Sequence, residues 1–129
     1  SSKEEKTYRF RLLHAISKWR FWPMTKSEKA IQNEIMLALS QNGCRVFRAN
    51  AGEVKTADGR VVKLMPKGFP DITGFRISDG KFLAIEVKNE KGSLRDDQIK
   101  FGEFLNKHPV LYGVARSVEE ALEIVMEVN

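Results

Sequence analysis

The chain has 129 residues, of which 42% are apolar, enough for one domain with a modest buried core. No run of about 18 apolar residues occurs, which excludes an apolar helix spanning a bilayer, and a single cysteine excludes an intramolecular disulfide. The net charge of +5 lies entirely in the first 26 residues, where seven basic residues face two acidic ones, so no general polyanion affinity follows for the neutral remainder.

The N-terminus lacks the apolar stretch and small-residue cleavage site of a secretory signal. The expectation is a soluble protein of the cytoplasm, in a bacterium or a phage-infected host cell. His14 and His108 have no Cys or His neighbours at zinc-ligand spacing, so zinc is not expected. Cys44 sits among strand-like apolar residues and reads as an inert core thiol rather than a nucleophile.

Between Lys3 and Trp22, Tyr8, Leu12, Ile16 and Trp19 recur at helical spacing with basic residues between them. The pattern predicts an amphipathic helix that stops at Pro23. Its basic face can track phosphates or simply be solvated, and the spacing does not choose between them. Trp19, Phe21 and Trp22 are read as packing residues rather than base-stacking ones. The parse is a basic arm over residues 1–23, a candidate for dimerisation, followed by one domain over 24–129.

Ser27 predicts the N-cap of a second helix, although Ala30 stands where a capping-box Glu or Gln would be. Ile31, Ile35, Ala38 and Leu39 form its apolar stripe, and Asn42-Gly43 closes it. At about 100° per residue, Glu28 falls nearer the centre of that stripe than Glu34 and is the inward-facing acid.

Cys44 to Ala49 predicts a strand, ended by Asn50-Ala51-Gly52. Asp58-Gly59 predicts a hairpin turn between Glu53-Val54-Lys55 and Val61 to Met65. Pro66 to Pro70 is an irregular approach to Asp71, which opens a strand reaching Ile77. Ser78-Asp79-Gly80 turns the chain into a strand from Lys81 to Lys88. A helix over Leu94–Lys107 follows, with Ile99, Phe101, Phe104 and Leu105 as its expected buried side, and then a strand over Val110–Ala115. Ser117 and Glu120 form a capping box for a last helix ending near Met126. This order describes an α/β sandwich, a mixed central β-sheet flanked by helices, whose last strand-helix-strand unit crosses over right-handed.

In Phe82 to Lys88 the alternation puts Glu86 and Lys88 on one face, at the end of an apolar strand where uncompensated charge is unfavourable. A salt bridge alone would account for a Glu-x-Lys triplet. The preceding Gly68-Phe69-Pro70-Asp71 adds a rigid turn that delivers a second acid to the neighbouring strand. Pairing residues whose numbers sum to roughly 158 would bring Asp71 opposite Val87 and beside Glu86. Two carboxylates with free water positions suit Mg²⁺ or Mn²⁺, and Lys88 would orient an attacking water or stabilise a pentavalent phosphate. Glu28 could complete the metal site directly or through water.

Ser27-Glu28 with Ile31-Gln32, Arg48 to Gly52, Gly68 to Asp71, Glu86-Val87-Lys88 and Gln98, in this order, resemble the VRR-NUC branch of the PD-(D/E)xK nucleases, with the likeness running from Thr25 to about Val125. The resemblance implies a restriction-endonuclease-like core. It implies a metal ion held by Glu28, Asp71, Glu86 and the Val87 carbonyl, with Lys88 and Gln98 lining the same site. It also implies cleavage of branched DNA, and for a short stand-alone chain a homodimeric Holliday-junction resolvase. Nothing in the family pattern corresponds to the arm. The other readings are a non-catalytic nucleic-acid-binding module that uses the arm, Arg45, Arg48 and Lys63, a flap-type nuclease, and a restriction-type nuclease, for which no base-reading insertion is visible.

Overall fold

The computed structural model describes residues 25–127, and the predicted arm lies outside them. Helix α1 (Glu28–Gln41) starts where Ser27 Oγ accepts the Ala30 N–H at 3.1 Å and ends at Asn42, before Gly43 turns into the left-handed region at φ 81°. Strands β1 (Cys44–Arg48), β4 (Ile72–Arg76), β5 (Phe82–Val87) and β6 (Leu111–Ala115) make one sheet in the order β1-β4-β5-β6. β1 and β4, and β4 and β5, pair antiparallel, whereas β5 and β6 pair parallel across helix α2 (Asp96–Asn106). Helix α3 (Val118–Val125) follows, capped by Ser117 Oγ on the Glu120 N–H at 3.2 Å. The mixed sheet expected from the sequence is therefore present.

Helices α1 and α3 cover one face of the sheet. Ile31, Ile35 and Leu39 recur every fourth residue and pack with Cys44, Ile72, Leu83, Ile85, Val87, Leu111, Ala121 and Val125. Each large aliphatic side chain buried there contributes roughly 1.5–3 kcal/mol over leaving it in water. Cys44 is part of this core, and burial pushes its thiol pKa up, as expected of an unreactive cysteine. Helix α2 covers the opposite face at β6, close enough that a Cβ on Gly102 would sit 2.3 Å from the Tyr112 hydroxyl. β5 is thus covered on both sides, the usual reason for a nearly continuous apolar run. The hairpin of β2 (Glu53–Lys55) and β3 (Val61–Lys63) forms a separate two-stranded sheet around the expected Asp58-Gly59 turn.

Two expectations need correction. The β4–β5 pairs are Ile72 with Ile85, Thr73 with Ala84, Gly74 with Leu83 and Phe75 with Phe82, one residue out of the expected register. The turn spans Ile77–Gly80 and is closed by the Arg76 N–H on the Lys81 carbonyl at 2.9 Å, so β4 ends at Arg76 and Ile77 leaves the ladder to donate to the Gly43 carbonyl at 2.9 Å. The buried side of α2 is Gln98, Gly102 and Leu105, whereas Ile99 and Phe104 are 41% and 56% exposed. The helix phase follows the fit of Gly102 over Tyr112. Phe101 and Phe104 instead continue an aromatic row from Phe69 to His108 along the helix flank, edge-on between the phenylalanines and tilted at His108.

Candidate active site

The corrected register decides where the acids point. Continuing the β4–β5 ladder one step beyond Ile72 and Ile85 puts Asp71 opposite Glu86, and directly opposed residues share a face. Asp71 Oδ2 also accepts the Val87 N–H at 2.8 Å, so this carboxylate caps the end of β5. Asp71 is half-buried and Glu86 is 1% exposed. The two carboxyl groups meet on the α2 side of the sheet.

Pro70 is buried just before Asp71, and Gly68 approaches the first turn of α2 so closely that a Cβ would lie 2.3 Å from the Asp97 carbonyl oxygen. Its φ of 85° further restricts the position to glycine. The Gly68-Phe69-Pro70-Asp71 turn therefore joins two parts of the site, the Asp71 loop and the N-terminus of α2.

Gln98 is buried at the third position of α2 and satisfied at both ends of its amide. Its Oε1 accepts the Arg95 N–H at 2.9 Å, a helix-capping contact, and its Nε2 donates to Glu86 Oε1 at 3.0 Å. The capping bond orients the amide so that its donor end faces the acid. A glutamine three residues into the helix is a capping signal that the sequence carried.

Burial pushes the Glu86 carboxyl up to about 8, with the hydrogen bond and charge of Asp71 acting in the same direction and Lys88 and Arg95 opposing it. The Tyr112 hydroxyl is pushed up as well, first by burial and then by the charge of Glu86. Lys88 follows on β5 and is 6% exposed. Its Nζ lies 3.8 Å from Glu28 Oε1, projecting from the first turn of α1. Glu28 thus reaches the buried Lys88, while Glu34, its side chain equally exposed at 45%, pairs with Lys26 at 2.8 Å.

Asp71, Glu86 and Gln98 come together directly, and Lys88 and Glu28 form a second pair beside them. Glu28 was expected among the metal ligands; in this structure its carboxylate lies 3.8 Å from Lys88 Nζ. The Asp71–Glu86 pair still fits Mg²⁺ or Mn²⁺. Two hard carboxylates compete for a proton in a desolvated setting, and Mg²⁺ is commonly held by one or two carboxylates with water and phosphate completing its shell.

Three comparisons bear on this geometry. A search of curated proteins finds no match. A solved structure described as a VRR_NUC domain matches with a TM-score of 0.56 at 18% identity, covering 79% of this chain and 97% of that one, which supports the fold. A family model described as the VRR-NUC domain matches residues 10–119, beginning inside the arm rather than at Thr25. The chain belongs to the VRR-NUC domain family and carries a nuclease-type domain with a PD-(D/E)xK-like core.

Proposed function

We propose that the protein is an Mg²⁺- or Mn²⁺-dependent endodeoxyribonuclease that hydrolyses phosphodiester bonds in branched DNA, acting as a homodimeric Holliday-junction resolvase. The observation that carries the reading is the opposition of Asp71 and Glu86 on one sheet face, with Lys88 just past the end of β5 and Gln98 bound to Glu86. Asp71, Glu86 and the Val87 carbonyl would hold the metal. When bound, it would polarise the scissile phosphate and lower the pKa of an attacking water.

The chain's own groups supply the rest. The Val87 N–H holds Asp71 Oδ2, so that carboxylate is oriented before substrate arrives. Gln98 holds Glu86 Oε1 and so fixes how that carboxyl meets Asp71. Lys88, shielded from water, would place an ammonium where negative charge grows on the phosphate, and a buried cation acts there more strongly than an exposed one. Glu28 sits against that ammonium and would set its position, or reach the metal through water.

A non-catalytic nucleic-acid-binding module is less well supported. A buried acid crowded by a second acid destabilises the fold, and phosphate binding alone does not call for it. The branched substrate and the dimer rest on family membership. The test is cleavage of linear, flap and four-way DNA with Mg²⁺, Mn²⁺ or EDTA, alongside sedimentation to establish the oligomer. Asp71→Ala should abolish metal-dependent cutting of the four-way junction while leaving junction binding in place. Cutting by that purified variant at the wild-type rate would remove Asp71 from the mechanism.

A further inference from the structure

Lys88 is buried, yet its Glu28 partner stands 3.8 Å away, too far to hold the ammonium by a hydrogen bond. Its position depends on what walls in its stem. One wall is the segment after β5, Asn89 to Gly92, whose Gly92 end lies against the Lys88 stem. A Cβ on Gly92 would lie 3.3 Å from Lys88 Cδ and 2.8 Å from Glu28 Oε1, so the Gly92 backbone packs against both partners of the pair.

Two side chains shape that segment. Asn89 Oδ1 accepts the N–H groups of Lys91 at 3.1 Å and Gly92 at 2.7 Å, closing a tight turn. Arg116 Nη1 donates to the main-chain carbonyls of Asn89 at 2.5 Å and Gly92 at 2.6 Å, so one guanidinium nitrogen bridges both ends of the segment. Arg116 comes from the β6–α3 junction. The Val87–Ala115 pairing and the Lys88 N–H on the Ala115 carbonyl at 3.1 Å bring that junction level with Lys88. The Arg116 backbone is itself tied to Glu120 Oε1 at 3.1 Å.

We propose that Arg116 and Asn89 are positioning residues that clamp the Asn89–Gly92 segment against Lys88 and thereby set where its ammonium stands relative to Asp71 and Glu86. The kinetic consequence rests on the nuclease reading, whereas the clamp itself does not. Because a displacement of about 1 Å can lower a rate by two orders of magnitude, Arg116→Ala and Asn89→Ala should each lower kcat about 10–100-fold with KM little changed. Arg116→Lys keeps a donor for the carbonyls and Asn89→Asp keeps the acceptor, so both should recover part of kcat.

The experiment combines single-turnover and steady-state cleavage of a four-way junction with NMR of the lysine ε-methylene groups, the Lys88 signal being assigned by its loss in Lys88→Arg. The expected result is a Lys88 signal that moves toward those of exposed lysines in the two alanine variants and returns in the conservative ones, in parallel with kcat. An unmoved Lys88 signal in Arg116→Ala and Asn89→Ala overturns the clamp, even if both variants are less stable. A moved signal with unchanged kcat overturns its role in the reaction. If the wild type cuts no DNA, the nuclease reading falls, and the Lys88 signal still decides the clamp.

Discussion

Replacing Gly68 by alanine adds one methyl group that touches neither acid, yet it should disturb both halves of the site. At φ 85° an L-residue is strained by roughly 1–2 kcal/mol relative to glycine. The added Cβ would also stand 2.3 Å from the Asp97 carbonyl oxygen and 3.2 Å from the Gln98 nitrogen, backbone atoms that cannot swing aside as a flexible side chain would. Relief requires the Gly68 loop and the first turn of α2 to separate, and overpacking of this kind adds about 1–3 kcal/mol. The total is about 2–5 kcal/mol of lost stability, together with displacement of Asp71 from one side and Gln98 from the other. Gly80→Ala is the control, because Gly80 also has a positive φ of 72° but open space around its Cβ position. Urea denaturation of both variants separates strain from contact. Gly80→Ala should lose only the strain and keep wild-type cleavage, whereas Gly68→Ala should lose markedly more stability and most of its cleavage rate. Equal losses in the two variants, or full activity in Gly68→Ala, would refute the idea that this close approach sets the site.

Glu86 predicts an unusual pH dependence in the metal-free protein. Its carboxyl is raised from 4.5 to about 8 by burial and by Asp71, so folding disfavours the ionised form: no stability is lost below pH 4.5, and the loss grows as pH rises toward 8. In EDTA, Glu86→Gln should therefore be more stable than wild type by a few kcal/mol at pH 8 and nearly equal to it at pH 4.5, while cutting no DNA. Equal melting temperatures at pH 8 would contradict this. Arg76 supports the far end of the sheet, where its Nη1 donates to the carbonyls of Val125 at 2.7 Å and Glu127 at 2.8 Å and its Nη2 pairs with Asp79 at 2.5 Å. Arg76→Ala should lower stability by about 1–3 kcal/mol in chemical denaturation with little change in cleavage, since it leaves helix-end carbonyls without a donor. The hydrogen bond from Arg76 lowers Asp79 from 3.8 to about 2, so its stabilising share is complete above pH 3.8 and is lost as pH falls toward 2. An acid titration of Asp79→Asn should lack that component.

The elements were legible in the sequence wherever their causes are local. Ser27 and Ser117 cap the helices they were expected to cap, Asn42-Gly43 closes α1, and Asp58-Gly59 turns the hairpin, because each signal acts within a few residues of backbone. The alternation of β5 placed Glu86 on the side away from Leu83, Ile85 and Val87, and the order of short motifs pointed to the VRR-NUC family that the comparisons bear out.

Contacts distant in sequence decided the rest. A turn of even length, Ile77–Gly80, moved the β4–β5 register by one residue, and with a side-chain period of two that single step brings Asp71 opposite Glu86 rather than Val87. The phase of α2 followed Gly102 under the Tyr112 hydroxyl and Gln98 on Glu86, against an apolar pattern that favoured Ile99 and Phe104. Glu28 stood on the side of α1 that reaches the end of β5, but which charge it met depended on how α1 crosses the sheet, and that charge was Lys88. The sequence determined which residues were available to the site and, for β5, which face Glu86 lay on. Only the tertiary structure decided which of them touch, because register, helix phase and crossing are set by packing between segments far apart in the chain.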